Sequence, residues 1–177
     1  MTLIILEGNE CNFKTTVAEK LSNKLGWEVV KGSSFEMSQC NNEELYQKFI
    51  DLTKLDNVII DRFTWSNLVY ASLYEDFSII TLEQAKEIQR LILDKAYVVF
   101  LHADHEVLIE RIGVRGDDYV KSEKLEIINK KYWEVIVDTL DIQNPESEFK
   151  SFQGNMFDTA KYGSDDIVES ILSKVAD

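Results

Sequence analysis

The chain has 177 residues, enough for one domain with a substantial core, and its 45% hydrophobic and 29% charged side chains match an ordinary soluble protein. Its 19 basic residues face 32 acidic ones, a net charge of −13 that excludes a broad basic surface for nucleic acid or an anionic membrane. No apolar run is long enough to span a bilayer and no basic-plus-apolar leader opens the chain, so a cytoplasmic protein is expected. The two cysteines, Cys11 and Cys40, have neither metal-site nor disulfide-framework spacing, which fits a reducing compartment.

Leu3, Ile4, Ile5 and Leu6 read as a strand buried on both faces. From Lys14, Val17, Ala18, Leu21 and Leu25 recur at helical spacing, and Gly26 closes that helix. Residues 27–30 form a second short strand, and residues 41–55 a helix with Leu45, Phe49 and Leu52 on one side. Val58, Ile59 and Ile60 make a third buried strand that ends in Asp61 and Arg62. Residues 64–74 and 81–94 are helical, the second capped by Thr81. A fourth buried strand covers 96–101, and Asp104 caps a helix running to about Val114. The charged, glycine-punctuated stretch around 111–121 reads as a mobile lid segment. A long helix covers 122–140, a loop holding the only proline follows, a weak fifth strand is expected at 149–152, and Ser164 caps a last helix. Strands alternate with helices throughout and no linker or repeat interrupts them. The expectation is a single α/β domain over 1–177, a three-layer αβα stack around a five-stranded parallel sheet.

The stretch from Gly8 to Thr16 follows the first strand and opens the first helix. Gly8, Lys14 and Thr15 fall in the register of the phosphate-binding loop G-x-x-x-x-G-K-[ST], but Phe13 stands where the second glycine belongs. The pattern has a physical basis: unpaired N–H groups at a helix start and in a loop wrapped over it make an anion cradle. Lys14 adds a cation for the β and γ phosphates, and the Thr15 hydroxyl suits Mg²⁺. The candidate cofactor-binding set is Gly8, Asn9, Glu10, Cys11, Asn12, Phe13, Lys14, Thr15 and Thr16. Phe13 either takes an ordinary backbone conformation with its ring turned away, or distorts the loop.

Three further clusters follow the C-terminal ends of strands: Ser33 to Glu36, Asp61 with Arg62, and the stretch from Arg111 to Asp118. Open α/β sheets bind ligands at that edge. Several cations and Mg²⁺ around one edge suit phosphoryl transfer, in which the charge spread over the transferring group is stabilised by position. In that chemistry Lys14, Asp61, Arg62, Arg111 and Arg115 are the candidate catalytic residues, with Thr15 and Asp61 at the metal. Phe35, Glu36, Arg62, Phe63, Ser66 and Tyr70 are candidates for the acceptor side.

At these residues the chain resembles the thymidylate kinase-like P-loop nucleotide kinases, and most nearly their small phage- and prophage-encoded forms. The loop matches E-G-x-x-C-x-F-K-[ST]-T, in which phenylalanine before the lysine is a group feature. Asp61, Arg62, Phe63, Ser66 and Tyr70 match D-R-[FY]-x-x-S-x-x-x-Y, and Arg111, Ile112, Arg115, Gly116 and Asp117 match the lid pattern R-I-x-x-R-G-D. The resemblance covers about residues 1–140 and implies ATP, Mg²⁺, a small-molecule deoxynucleotide acceptor such as dTMP and, by family habit, a homodimer. Two departures stand out. Residues 31–36 replace the usual Arg-Glu-Pro-Gly segment, and the only nearby candidate for the base that nucleoside kinases use on a sugar hydroxyl is Glu36, later than expected. A monophosphate is already anionic and needs no strong base, so a pyrimidine deoxynucleoside monophosphate is the expected acceptor. The alternatives are a deoxynucleoside kinase and a nucleotide-binding protein without catalysis.

Overall fold

The computed structural model describes residues 1–115 and 122–175. The apolar run at the start forms β1, Leu3–Gly8, every residue of which is buried. Helix α1, Lys14–Leu25, ends on Gly26, whose φ of 71° is the left-handed cap that glycine takes at least cost. Strand β2, Glu28–Lys31, is largely exposed. Helix α2, Asn42–Thr53, opens with a capping box in which Asn41 and Glu44 each accept from the other's backbone N–H. Strand β3, Val58–Asp61, and helix α3, Thr64–Ala71, follow. Helix α4, Leu82–Arg90, repeats the capping box with Thr81 and Gln84. Then come β4, Ala96–His102, α5, His105–Arg115, α6, Ser122–Leu140, β5, Gly154–Asp158, and α7, Ser164–Val175.

All strand pairings are parallel, in the order β2-β3-β1-β4-β5. Side chains alternate across a strand, so β1 splits between two cores. Leu3 and Ile5 join Phe49, Trp65, Ile88 and Ile128 from α2, α3, α4 and α6, whereas Ile4 and Leu6 join Val17, Leu21, Ile167 and Ile171 from α1 and α7. This is the three-layer αβα stack expected from the sequence. Each fully buried aliphatic side chain contributes about 1.5–3 kcal/mol. Trp65, fully buried, has its indole N–H satisfied by Thr139 Oγ1 at 2.9 Å. The chain leaves β1 onto one face and β3 onto the other, which opens a crevice at the C-terminal edge between them. Among the described residues no helix is long and apolar enough to cross a membrane.

One expectation needs correction. Residues 149–152 are not the fifth strand: Glu148–Ser151 is a 3₁₀ turn, and β5 begins at Gly154. The apolar pair Phe149 and Phe152 marks that turn because its rings fold inward, Phe152 lying 5.7 Å from Trp65. The true strand carries only Met156 and Phe157 as apolar residues, as an edge strand can. The stretch expected as a lid is described only in part. Residues 111–115 continue α5, while the side chain of Arg115 and residues 116–121, including Gly116, Asp117 and Asp118, lie outside the described residues.

Candidate active site

The phosphate loop is built on a close approach. A Cβ on Gly8 would lie 2.0 Å from the carbonyl oxygen of Leu101, and the residue has φ 135°, so only glycine fits where β1 meets β4. Asn9 and Asn12, expected to hold cofactor, turn their side chains into the protein. Asn9 Nδ2 donates to Leu125 O at 3.1 Å and to Asn129 Oδ1 at 3.0 Å, and Asn12 Oδ1 accepts from Thr159 Oγ1 at 2.9 Å. What these two offer a ligand is backbone. Lys14 is buried and its ammonium donates to Asn9 O at 2.6 Å. Burial first, and the Arg62 charge second, lower its pKa to about 8. Thr15 and Thr16 are exposed on the first turn of α1.

Phe13 takes neither path foreseen from the sequence. Its backbone is left-handed, φ 62° and ψ 9°, as the missing glycine's would be. Its ring lies beneath the Arg111 guanidinium, 4.4 Å from the ring centre.

At the end of β3, Arg62 is also left-handed, with φ 67°. Its guanidinium donates to Gly8 O at 3.1 Å and to Tyr132 Oη at 3.2 Å, pairs with Glu10, and sits 4.8 Å from the Tyr70 ring centre. Beneath it lies Glu7, fully buried. Its Oε1 accepts from Phe63 N at 2.7 Å and Ser66 N at 3.2 Å, which satisfies the start of α3, and its Oε2 accepts from Ser66 Oγ. Burial pushes the Glu7 carboxyl up, and the hydrogen bonds from Ser66 and Phe63 pull it back. Tyr132, on α6, reaches Gly8 O at 3.2 Å and Ser66 Oγ at 2.8 Å. Glu7 and Tyr132 are not among the site candidates read from the sequence, and Glu10 is among them only as part of the cofactor-binding loop. Glu7 carries a signal, since a carboxylate ending an apolar strand must find buried partners. Tyr132 carries none, being one more apolar residue in a helical pattern.

Two acceptor-side candidates are placed elsewhere. Phe63 is fully buried, edge-on to Phe49 at 5.4 Å, and belongs to the core. Ser66 is buried as the partner of Glu7. Phe35 and Glu36 are exposed, and neither lines the cavity described below. Phe35 ends a row of rings that runs through Phe77 and Tyr74 to Tyr70, with spacings of 5.3, 5.9 and 6.3 Å. Glu36 is held by its own backbone N–H and by Ser34, which keep its carboxyl below the usual range.

Between the loop, β2, β3 and α5 lies a cavity of about 640 Å³. Four cations face it, Lys14, Lys31, Arg62 and Arg111, with two carboxylates, Glu10 and Asp61. A Cβ on Gly32 would lie 2.2 Å from Arg62 O, and this close contact brings Lys31 and Ser33 to the cavity beside Arg62. Asp61 Oδ1 is buried with no hydrogen-bond partner among the described residues. A buried carboxylate oxygen in that state fits a hard cation or its bound water, and the Thr15 hydroxyl lines the same cavity. No cluster of three or more potential ligand side chains exists among the described residues.

The thymidylate kinase family model matches residues 37–151. The chain is 44% identical over 172 residues to the SPbeta prophage-derived protein YorR of Bacillus subtilis (strain 168), covering 97% of this chain and 98% of that one. It superposes on the crystal structure of YorR in complex with phosphorylated GDP with a TM-score of 0.87, over 99% of this chain and 96% of that one, at 43% identity. The deoxyadenosine kinase of M. mycoides shares the fold at 19% identity, with a TM-score of 0.59 over 98% of each chain.

Proposed function

The chain belongs to the thymidylate kinase family, and from that premise we propose that it transfers the γ-phosphoryl group of ATP to a pyrimidine deoxynucleoside monophosphate, dTMP or a close analogue. The observation that carries the reading is the gathering of four cations around one cavity in a chain of net charge −13. One nucleotide's phosphates would occupy the loop and Lys14. Arg62 and Lys31, on the opposite wall, suit the phosphate of a second. Glu36, the candidate base of a nucleoside kinase, lies outside the cavity, which supports a monophosphate acceptor.

The roles follow from position. Loop N–H groups and Lys14 hold the donor phosphates and meet the charge that develops in transfer. Arg62, fixed between Gly8 O, Glu10 and Tyr132, orients the acceptor phosphate for in-line attack. Arg111 completes the donor wall, and Arg115 is proposed to close over it. The row Tyr70, Tyr74, Phe77 and Phe35 offers ring faces on the acceptor side. Mg²⁺, held through Thr15 and Asp61, would neutralise charge on the donor phosphates. A homodimer is proposed on family grounds, and light scattering reads it directly.

A second reading has one observation in its favour. The relative YorR was crystallised with phosphorylated GDP, which points toward a guanine nucleotide as donor or acceptor. A coupled ADP- or GDP-release assay separates the readings. ATP and GTP would be offered against dTMP, dUMP and its 5-substituted analogues, dCMP, dAMP, dGMP, GMP and the matching nucleosides. Turnover on a pyrimidine deoxynucleoside monophosphate supports the proposal. Turnover confined to guanine nucleotides or to nucleosides overturns it.

A further inference from the structure

The loop departs from the glycine of its motif at Phe13, and the surroundings of that ring give the departure a purpose. Left-handed backbone is where glycine, and to a lesser degree asparagine, is at ease, and a phenylalanine there is disfavoured. The chain nevertheless keeps the glycine-like geometry, φ 62°, and adds a ring. The ring faces Arg111 at 4.4 Å from its centre, within range of a cation–π contact. The edges of the same guanidinium are engaged as well. It donates to Cys11 O at 3.1 Å, to Thr159 Oγ1 at 2.8 Å and to Thr159 O at 2.7 Å. Thr159 Oγ1 donates onward to Asn12 Oδ1 at 2.9 Å. One arginine from α5 thus joins the phosphate loop to the segment after β5, and Phe13 covers one of its faces.

We propose that Phe13 is a positioning residue. Its ring braces Arg111 as a standing part of the donor-phosphate wall, so that this arginine need not be brought in by lid closure. The packing stands by itself; its kinetic consequence rests on the reading of the cavity as a triphosphate site. The inference has an unusual corollary. Restoring the motif's own glycine relaxes the backbone but uncovers one face of the arginine, leaving it on its hydrogen bonds alone, and so weakens the site.

The test compares Phe13→Gly and Phe13→Asn, which both accept left-handed backbone without an aromatic ring, with Phe13→Tyr, which keeps the ring. The first readout is the Nε–H resonance of Arg111 in the nucleotide-free protein, assigned with Arg111→Lys. Bracing predicts a motionally restricted Arg111 side chain, read by relaxation of that resonance, in the wild type and Phe13→Tyr, and a more mobile one in Phe13→Gly and Phe13→Asn. The second readout is affinity for Mg·ATP. It should fall roughly three- to thirtyfold in Phe13→Gly and Phe13→Asn, with acceptor KM little changed, and recover in Phe13→Tyr. An Arg111 side chain as restricted in Phe13→Gly as in the wild type, or ATP binding in Phe13→Gly as tight as in the wild type, overturns the proposal. Absence of turnover on every acceptor would overturn the kinase reading instead, and the resonance readout distinguishes the two failures.

Discussion

At the end of β3, Arg62 is held by Gly8 O, Tyr132, Glu10 and the Tyr70 ring, above a buried Glu7 that itself accepts from Phe63 and Ser66. At the end of β2, by contrast, Phe35 is 49% exposed and Glu36 bonds within its own turn. Both segments flank the same crevice. Burying a carboxylate such as Glu7 is costly unless its oxygens are bonded, so a chain that does so spends the arrangement on rigidity. The β3 side, proposed to handle phosphates, is preorganised. The β2 side is a surface that a ligand can order. Substitutions on the first should therefore change turnover or stability, and substitutions on the second should change acceptor KM.

The largest effect belongs to Lys14. Lys14→Ala should lower turnover by about a thousandfold or more without lowering the melting temperature, because a buried cation in competition with Arg62 is removed. Unimpaired transfer would break the site assignment. Lys14 also gives a pH signature. Its folded pKa of about 8 lies below the ordinary 10.5, so the folded state binds fewer protons than the unfolded one between those values. Its contribution to stability therefore rises with pH through that window, while kcat/KM for the donor falls as the ammonium is lost. In Lys14→Met the rise in stability should vanish.

Next comes Glu7. Glu7→Leu leaves Phe63 N, Ser66 N and the Ser66 hydroxyl without their acceptor, at a cost of about 3 kcal/mol. A chain of this size should then melt roughly 6–12 °C lower. A melting point within a degree or two of wild type would mean that the network carries no stability. Tyr132→Phe is milder. It removes one hydroxyl from Arg62 and Gly8 O, about 1 kcal/mol, and should lower kcat about fivefold while leaving donor KM unchanged. A change in donor KM alone would detach Tyr132 from Arg62.

The contrast also explains what the sequence made legible. β1, β3 and β4 are buried on both faces, so their continuous apolar runs are plain, and Gly8 and Lys14 stand in a register set by phosphate geometry. β5 has one apolar neighbour pair and an open edge, so its pattern was lost to the nearby Phe149 and Phe152. Phe13 could be flagged as a departure, but its stacking partner lies 98 positions away on α5 and only the fold brings the two together. Phe63 and Ser66 were named for their motif, and the motif turned out to fix Glu7 and the core. A motif reports that residues are kept together. It does not report which of them face a ligand.

The smallest predicted effect tests the open side most sharply. Glu36 was the candidate after β2 for a base toward a sugar hydroxyl, and it lies outside the cavity. General-base catalysis is worth about 10²–10⁴-fold, so loss of a true base cannot hide in experimental scatter. Glu36→Gln should therefore change kcat on a monophosphate by less than about twofold, with any effect confined to acceptor KM. A hundredfold fall in kcat would mean that the β2 side closes on the substrate and supplies a base. The two flanks would then share the chemistry, and the acceptor would be a nucleoside.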